Sequence, residues 1–526
     1  MVIKMLNDLT LLMKDITLII LLAPLLGCLI AGLLGYKIGR FWTSFFTILF
    51  LAVSLGLSIY LMLKMTILDP QVKSYHVHLY RWASVTNINF DIGFLVDRLT
   101  CYMLIVVTFV SFLVHIYSIG YMEDDQGYQR FFCYISGFTF AMLALVLADN
   151  FLLLFFGWEG VGLASYLLIS FWYHKNSATN AGLKAFIVNR IGDLGLLLGI
   201  ALVLMYTSSL NFSVVFNAVP NLYKTSASVS LYPGGPFVNV ITLMCVLLFI
   251  GAMGKSAQMP LHVWLEGSME GPTPISALIH AATMVTAGVY MVARLSPMYS
   301  YSSSALNFIL IIGSATCFFM GLIAIVQTDI KKVIAYSTLS QLGYMIAGEG
   351  ASAFSLGLFH LMTHAAFKAL LFLAAGSVIV GMHHEQDMRK MGGLRKHMPV
   401  TYICFLIGAL SLAAIPPFSG FYSKDLILLA VAKQSVHLGL GGYIYGCALA
   451  GFFVTPLYIF RAYWVVFFGQ PRYVTRMPVY ESPLAMTGPL AALAFLSFAV
   501  GFIVLVFFAG QQSRLFYEFS QVSAPL

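Results

Sequence analysis

Charged side chains are scarce in this sequence. Of its 526 residues, 28 are lysine or arginine and 20 are aspartate or glutamate, so only 9% of the chain is charged, against about 25% in soluble proteins. Hydrophobic residues make up 60%, and the mean hydropathy is +0.90. With so few charges, a soluble domain would leave large apolar patches exposed. This composition excludes soluble, disordered and nucleic-acid-binding proteins and indicates an integral membrane protein.

Cysteines are also few and scattered. The seven lie at positions 28, 101, 133, 245, 317, 404 and 447, mostly inside apolar runs, and no C-x-x-C motif occurs. This distribution indicates neither a disulfide framework nor an iron–sulfur or zinc-thiolate site. The formal net charge of +8 is typical of basic residues that collect in the cytoplasmic loops of a multi-pass protein, rather than of an anionic partner.

Long apolar runs predict the fold class. A membrane span needs about 20 apolar residues, and runs of this length predict an all-α polytopic membrane protein with about fourteen transmembrane helices. The strands of a membrane barrel would instead show short alternating segments. The predicted spans cover residues 17–35, 41–63, 99–119, 131–148, 151–172, 183–207, 237–265, 272–294, 306–327, 329–350, 353–380, 400–436, 438–467 and 483–509.

The loops between these spans predict the orientation. Residues 65–98 alternate apolar and polar side chains, which predicts a small external β-hairpin. Basic residues concentrate in the loops after spans 1, 3, 5, 9, 11 and 13, so these loops should face the cytoplasm and both termini should lie outside. The residues concerned are Lys37, Arg40, Arg130, Lys175, Lys331, Lys332, Arg389, Lys390, Arg395, Lys396, Arg472 and Arg476.

Two apolar segments carry glycine and proline beside a lysine. They read GKSAQMPLHVWLEGSMEGPTP at 254–274 and IPPFSGFYSKD at 415–425, five spans apart. Such breaks in corresponding spans are typical of discontinuous helices in transporters built from inverted repeats. We therefore predict two inverted five-helix repeats, with Lys255 and Lys424 in equivalent places. The predicted units are N-terminal helices with the hairpin (1–130), a first repeat (131–295), a second repeat (306–468) and a C-terminal loop with the last helix (469–526).

Ionisable residues recur inside the predicted spans. A charge near the bilayer centre costs about 2.5–3.5 kcal/mol, so each one must be paired, hydrated or functional. Together these residues predict a polar path through the protein. They are Glu159, Arg190, Asp193, Lys255, His280, His360, His364, Lys368, Lys424 and Asp425.

Three of them, His360, His364 and Lys368, are spaced i, i+4, i+8 and so share one helix face. Histidine titrates near neutral pH, and a desolvated lysine loses its proton more readily, so this row suits stepwise proton transfer. A metal site would need a further ligand, for which the sequence offers no strong candidate. For any one of these residues taken alone, a structural role in an ion pair or a hydrogen bond is as common as a functional role. Arg190 and Asp193, at i, i+3, are expected to form such a structural pair.

Motifs for nucleotide, redox and metal chemistry are missing. GAMGKS resembles a phosphate-binding loop, but Phe249 stands where its first glycine should be. GWEGVGLAS lacks the third glycine and the strand–helix context of a dinucleotide fingerprint, and HHEQD does not match H-E-x-x-H. The chain is therefore expected to bind no cofactor and no metal.

Seven segments together resemble a known family. In order, they resemble the largest antiporter-like subunit of respiratory complex I, NADH:quinone oxidoreductase subunit L, which is related to Mrp-type cation/proton antiporter subunits. The resemblance extends from residue 90 or so to the region of residue 480. The segments are ADNFLLLFFGWEGVGLASYLLISFW, GKSAQMPLHVWL, GPTPISALIHAATMVTAGVYMVAR, DIKKVIAYSTLSQLGYM, FHLMTHAAFKALLFLAAGSVI, EQDMRKMGGLRK and FSGFYSKD.

The resemblance implies a role for each matching residue. Glu159 and Lys255 would form the coupling ion pair, Lys424 would be the outlet lysine of a broken span, and Asp193 matches a functionally sensitive acidic position. It also implies a non-redox, proton-translocating subunit, partnered by the other complex I subunits, in a bacterial cell membrane or a mitochondrial inner membrane. The connecting residues would be Lys331, His280, His360, His364 and Lys368.

Two features depart from the family pattern. Glu266, Gly267 and Ser268 replace a usual Pro-Asp-Ala, and the residues after 483 predict one span but no long lateral amphipathic helix. Two alternatives therefore stay open: an Mrp-type cation/proton antiporter subunit, and the membrane partner of an ion-driven bicarbonate-uptake complex. The path of ionisable residues disfavours a third, a purely structural membrane scaffold.

Overall fold

The structure is a computed structural model that describes residues 2–85, 88–230, 234–473 and 479–510; the side chains of 2–10, 85, 88 and 504–510 are not described. Arg476 and the segment 511–526, which belong to the predicted C-terminal unit, lie outside the described residues. The helices are α1 (Val2–Leu29), α2 (Gly35–Leu63), α3 (Arg98–Tyr121), α4 (Tyr128–Leu147), α5 (Phe151–Ile169), α6 (Asn176–Thr207), α7 (Phe212–Lys224), α8 (Val240–Lys255), α9 (Thr273–Ala281), α10 (Met284–Arg294), α11 (Ser296–Tyr299), α12 (Ser303–Val326), α13 (Ile330–Gly350), α14 (Phe354–Gly381), α15 (Pro399–Leu412), α16 (Ser419–Ser435), α17 (Gly441–Phe467) and α18 (Leu484–Gly510).

The all-α membrane architecture is confirmed. Within the described residues, ten stretches are long and apolar enough to cross a membrane, and the first of them, Leu11–Leu68, contains two predicted spans. Helices satisfy their own backbone hydrogen bonds, which is why apolar runs take this form in lipid. The count of fourteen spans stays a prediction, with which the shorter apolar helices α8 and α15 are consistent as pieces of broken spans.

The predicted β-hairpin is also confirmed. Strands β1 (Ser74–Val85) and β2 (Ile88–Asp97) pair antiparallel. β2 leads directly into α3, whose first turn is capped by Asp97: its Oδ1 accepts a hydrogen bond from the backbone N–H of Thr100 at 2.7 Å. Such a cap stabilises a helix start by about 1 kcal/mol. The hairpin is thereby fixed to the first helix of the central bundle.

The structure adds local detail in two places. The span predicted at 272–294 is present as Thr273–Arg294, but it consists of two helices, α9 and α10, because the backbone leaves the helical conformation at Ala282 and Thr283. The loop between α6 and α8 contains the amphipathic helix α7 and a short hairpin of β3 (Ser228–Ser230) and β4 (Phe237–Asn239). In both places tertiary packing determines the local structure, since α7 buries one face and both α9 and α10 are wholly buried.

The two predicted helix breaks are present and share one backbone geometry. α8 ends at Lys255 and α15 ends at Leu412. Two residues beyond each end, Ala257 and Ala414 adopt positive φ angles of 47° and 58°. The N–H groups of Ser256 and Ala413 donate to the carbonyl four residues back in both cases. The chain then leaves the helix at a proline-containing segment.

The lysines beside these breaks do not match. Lys255 is the last residue before its break, whereas Lys424 lies inside α16, after its break. When the two breaks are superposed by their hydrogen bonds, Lys255 corresponds to Leu412. The prediction that the lysines occupy equivalent places is therefore wrong, because both segments contain a lysine but on opposite sides of the turn. The superposition of the two five-helix units as wholes stays a prediction.

A close approach of two helices positions the central side chains. Gly192 of α6 faces Gly254 of α8, and a Cβ atom added to Gly192 would lie 3.0 Å from the Gly254 Cα. Only glycine permits this backbone contact. It brings the residue after Gly192, which is Asp193, beside the residue after Gly254, which is Lys255.

A buried ion pair joins the hairpin end to the helical core. The Arg294 Nη2 atom donates to Asp97 Oδ1 at 3.0 Å, and the Arg294 side chain is only 5% exposed. Burial opposes ionisation, but the guanidinium charge and its hydrogen bonds hold the pKa of Asp97 below its usual range. The pair links the start of α3 to the end of α10.

We expect Asp97→Asn to lower the free energy of unfolding by about 3 kcal/mol, because removing one partner of a buried pair leaves an uncompensated charge. Since the folded pKa of Asp97 is depressed, its contribution is present above its unfolded pKa and is lost as the pH falls through the folded value. Thermal unfolding at several pH values measures both effects.

The exposed hairpin pair Arg81–Asp91, at 3.0 Å, is the control. Arg81→Gln should cost less than about 1 kcal/mol. Equal effects of the two substitutions would contradict a special role for the buried pair.

Candidate functional site

Lys255 is buried at the end of α8. Its side chain is 1% exposed, and its Nζ atom lies 3.7 Å from Asp193 Oδ1. A Cβ atom added to Gly162 would lie 2.7 Å from that Nζ, so glycine makes room for the ammonium group. The indole of Trp158 faces the same Nζ, 5.8 Å from the ring centroid, and its Nε1 donates to Asp193 Oδ1 at 2.7 Å. One carboxylate and one aromatic face therefore hold the lysine.

The remaining two charges of this cluster pair with each other. Arg190 forms a salt bridge with Glu159 near the surface of the helical bundle, where their side chains are 46% and 19% exposed. Two predicted pairs, Glu159 with Lys255 and Arg190 with Asp193, are thus exchanged for Glu159–Arg190 and Asp193–Lys255. Arg190 and Asp193 are three residues apart on α6 but do not pair with each other, because Asp193 is turned towards α8 and Arg190 towards the outside. Glu159 still acts on Lys255 electrostatically.

His280 lies between two lysines. It is fully buried near the end of α9, where its Nε2 lies 3.3 Å from Ser268 Oγ and its ring stacks on Phe372 at 5.0 Å. Its Nδ1 has no hydrogen-bond partner among the described residues. Lys331 and Lys368 both act on it electrostatically. The imidazole therefore connects the first helix break to the second half of the chain.

The first helix break itself supplies the ligands of Lys331. The Nζ of this lysine donates to the backbone carbonyl oxygens of Met269 at 2.6 Å and Gly271 at 2.7 Å. Both carbonyls belong to the segment between α8 and α9, where Met269 lies in a short 3-10 helix (Gly267–Glu270) and Gly271 directly follows it, so neither carbonyl is used within an α-helix. Lys331 is 1% exposed, so these carbonyls replace the water that its ammonium group has lost.

Lys331 also borders a polar cavity of about 560 Å³. Its lining includes Asp125, Lys175, His383 and His384, which lie on the loops after α3, α5 and α14. These belong to the set of loops whose basic residues predicted a cytoplasmic location. The cavity gives that face of the protein a wet approach to the buried lysine.

The predicted row of three residues lies on α14, and all three are fully buried. Lys368 Nζ donates to the hydroxyl of Ser337 and, at 3.3 Å, to the Ile334 carbonyl. Neither ring nitrogen of His364 has a hydrogen-bond partner among the described residues. The His360 and His364 ring centroids are 6.4 Å apart.

His360 connects this row to two further helices. Its Nδ1 lies 2.8 Å from Ser423 Oγ on α16, and its Nε2 lies 3.1 Å from Gln341 Oε1 on α13. Ser423 also lies 3.0 Å from the hydroxyl of Thr363. These neutral groups can each donate and accept, so they can relay a proton between charged neighbours.

Lys424, the residue after Ser423, ends the series. It is fully buried, and its Nζ donates to Thr455 Oγ1 at 2.9 Å. The same Nζ lies 4.6 Å from the centroid of the Tyr344 ring. This lysine is therefore held by one polar partner and two aromatic faces, the second being Phe452 at 5.1 Å. Unlike Lys255, it has no carboxylate within salt-bridge distance among the described residues.

Comparison with known proteins places the chain in a family. Residues 148–447 match the family described as NADH:quinone oxidoreductase/Mrp antiporter, TM, and residues 82–132 match the NADH-Ubiquinone oxidoreductase (complex I), chain 5 N-terminus. NADH-quinone oxidoreductase subunit L of Neisseria meningitidis is 54% identical over 516 residues, covering 94% of this chain and 75% of that protein. The chain belongs to the subunit L family. The expected resemblance is confirmed.

Other members of the subunit L family extend this similarity. Subunit L of Rickettsia bellii and NADH-ubiquinone oxidoreductase chain 5 of Dictyostelium discoideum are each 48% identical over 492 residues, covering 93% of this chain and 74% and 72% of those proteins. Among solved structures, the Mrp complex from Dietzia sp. DQ12-45-1b matches with a TM-score of 0.77 and 25% identity over 97% of this chain. The chain spans about half of that Mrp chain, 52% of its length. The archaeal membrane-bound sulfane sulfur reductase shares the fold, with a TM-score of 0.78 at 24% identity, over 92% of this chain and 75% of that chain.

The structure buries most of the predicted subunit L residues, with Lys255 beside Asp193 in one cluster and His280, Lys331 and the α14 residues in another, and it leaves Glu159 at the edge. It also adds residues that the sequence did not single out. Serine, threonine and glutamine are ordinary in helices, so the sequence carries no signal for them. Trp158 was more visible, because it stands between glycines in an otherwise aliphatic and aromatic run. The added residues are Trp158, Ser337, Gln341, Ser423 and Thr455.

We expect Asp193→Asn to destabilise the protein more than Glu159→Gln. The first change removes the nearest carboxylate of a buried lysine, which costs about 3 kcal/mol in buried pairs. Glu159→Gln leaves Arg190, whose side chain is 46% exposed and long enough to reach polar surroundings. Thermal unfolding of the purified variants measures the difference. Equal shifts in midpoint would mean that Asp193 is not the structural partner of Lys255.

Proposed function

We propose that this chain carries protons across the membrane as a non-redox subunit of an NADH-quinone oxidoreductase. The observation that carries this proposal is the buried series from Asp193–Lys255 through His280, Lys368 and His360 to Lys424. So many titratable groups would be costly as mere structure, because each must be compensated at membrane depth. Family membership supports the same conclusion, since the named relatives are subunits of that complex.

Protons would approach through the cavity on the face with the basic loops. From there Lys331 and His280 connect to Lys368, and the hydroxyl of Ser423 connects His360 to Lys424. Some neighbouring nitrogens, such as both of those on His364, lack a protein partner among the described residues. Buried polar groups of this kind are usually satisfied by water, which also conducts protons. We therefore propose a path of side chains and intervening water.

The cluster around Lys255 would control the path. Lys255 has Asp193 as its near partner, and Glu159, held by Arg190, acts on it from farther away. A carboxylate close to a lysine favours its charged form, whereas withdrawal of the carboxylate favours proton release. Movement of Glu159 between Arg190 and Lys255 would thus convert a conformational or electrostatic signal into proton transfer.

The remaining chemistry would lie in other subunits. We propose that partner subunits of the complex oxidise NADH and reduce quinone, and that this chain holds no cofactor of its own. The positive-inside rule supports a cytoplasmic location for the basic loops and an outside location for both termini. In this proposal the chain lies in a bacterial cell membrane or a mitochondrial inner membrane.

Lys424→Ala is expected to abolish proton pumping while leaving the chain inserted and assembled. Lys424→Arg should also reduce pumping severely, because arginine keeps its proton near neutral pH. Dye-reported acidification of proteoliposomes, divided by the rate of NADH oxidation, measures the effect in the purified complex. Lys433→Ala, at an exposed position of the same helix, is the control and should pump normally. Normal pumping by Lys424→Ala would reject the proposal.

Glu159→Gln tests the control step. This change keeps size and hydrogen bonding but removes the charge, so a switch should lose most pumping while the protein assembles at normal levels. The same vesicle assay and the amount of assembled complex are the two measurements. Normal pumping, or loss of the folded protein, would leave Glu159 with only a structural pairing role.

A second candidate is a cation/proton antiporter subunit. The match to the Mrp complex structure over 97% of this chain favours it. Replacing sodium by choline on both sides of the vesicle separates the two functions, because redox-driven proton pumping should persist without sodium. Co-purification with NADH-oxidising subunits would support the first proposal, and co-purification with small antiporter subunits would support the second.

A further inference from the structure

A buried acid lies outside the path described above. Glu349 is in the last turn of α13 and is fully buried. Neither of its carboxyl oxygens has a hydrogen-bond partner among the described residues. A polar group in this situation is costly, and an ionised carboxylate without a cation is far more so. The side chain is therefore carried as the neutral acid, which is a proton store.

The surroundings leave space for this carboxyl group. A Cβ atom added to Gly357 of α14 would lie 3.0 Å from Glu349 Cγ and 3.5 Å from its Oε1. The absence of a side chain at position 357 thus gives the acid its place between the two helices. The hydroxyl of Tyr299, whose electrostatic surroundings include Glu349, already donates to the Cys245 carbonyl at 3.2 Å.

Glu349 continues a row that begins at the described path. Gln341, whose Oε1 contacts His360, lies eight residues earlier on α13, and residues eight apart share a helix face at a rise of about 12 Å. Gly357, beside the acid, precedes His360 by three residues on α14, a rise of about 4.5 Å. The carboxyl therefore lies one turn beyond His360.

The far end of this row reaches the outer face. α13 begins at Ile330, beside Lys331 on the cavity, and runs for 21 residues, a length of about 30 Å that matches the bilayer core. Glu349 is consequently at the end opposite the cavity. The turn that follows, residues 351–353, is partly exposed. Only this turn separates the acid from the surface that we expect to face outside.

We propose that Glu349 is a further proton-carrying residue of this chain, receiving protons from His360 and releasing them at the α13–α14 turn. This proposal rests on the proposed function, because it extends the path described above, in which Lys424 remains essential, to the outer surface. It assigns to a carboxylic acid the last transfer before that surface. Water would bridge the acid and the imidazole.

Three substitutions at one position test this role in the purified complex. Glu349→Gln and Glu349→Met cannot carry the proton and should lower the number of protons moved per NADH at least twofold. Glu349→Asp keeps the acid and should retain more pumping than Glu349→Gln. Glu349→Met should also raise the thermal midpoint, because it replaces a buried group without partners by an apolar side chain of similar size.

Ser314→Ala is the matched control, since Ser314 Oγ is likewise buried without a partner on the neighbouring helix α12. It should leave pumping unchanged. Normal pumping by Glu349→Gln, in preparations where Lys424→Ala is inactive, would overturn the role of Glu349 alone. Normal pumping by both variants would reject the proposed function as well. Loss of folded protein in both Glu349→Gln and Glu349→Met would assign a structural role and also overturn the inference.

Discussion

The cost of keeping charged groups away from water governs this structure. Each buried cation of the described path must replace its hydration shell with protein atoms. An unbroken α-helix offers its backbone only weakly for this purpose, because its carbonyls are already bonded, as in the 3.3 Å contact of Lys368 with the Ile334 carbonyl. The protein meets the demand with helix breaks, as in the two carbonyls that hold Lys331, and with hydroxyls, as in Thr455 beside Lys424. Aromatic faces complete the sites of Lys255 and Lys424.

The buried cations are only partly compensated by protein groups, and partial compensation favours proton transfer. Lys424 has one hydrogen bond from its ammonium group and no carboxylate partner within salt-bridge distance in the part of the chain that the structure describes. His364 has none at either nitrogen in the same part. A fully paired network would hold its protons tightly, whereas partly paired groups can exchange them with modest changes in their surroundings. Lys255 precedes its helix break, whereas Lys424 follows its break. The positive charge is therefore placed differently in the two halves of the chain, although the backbone turns are alike.

Much of the fold could be predicted from the sequence because hydropathy and turn residues act locally. Apolar runs indicated the spans, alternation indicated the hairpin, and the two Gly/Pro segments indicated the breaks. Partner choice could not be predicted, since it depends on which face of α6 meets α8. The close contact between Gly192 and Gly254 determines which face of α6 meets α8, and it places Asp193 beside Lys255. The burial of Glu349 could not be predicted, because a carboxylate at a helix end is usually exposed. Only its packing against Gly357 shows that this one is buried.

The central claim is that the buried groups form one hydrated, proton-conducting series. The most direct measurement is a high-resolution electron cryomicroscopy map of the assembled complex. It would be searched for water at those nitrogens of Lys255, His280 and His364 that have no hydrogen-bond partner within the described part of the chain. The account predicts water density that contacts these nitrogens and links the cavity at Lys331 to the region of His360. Dry gaps filled by apolar side chains on both sides of His364 would contradict it, because protons could not then pass from one half of the chain to the other.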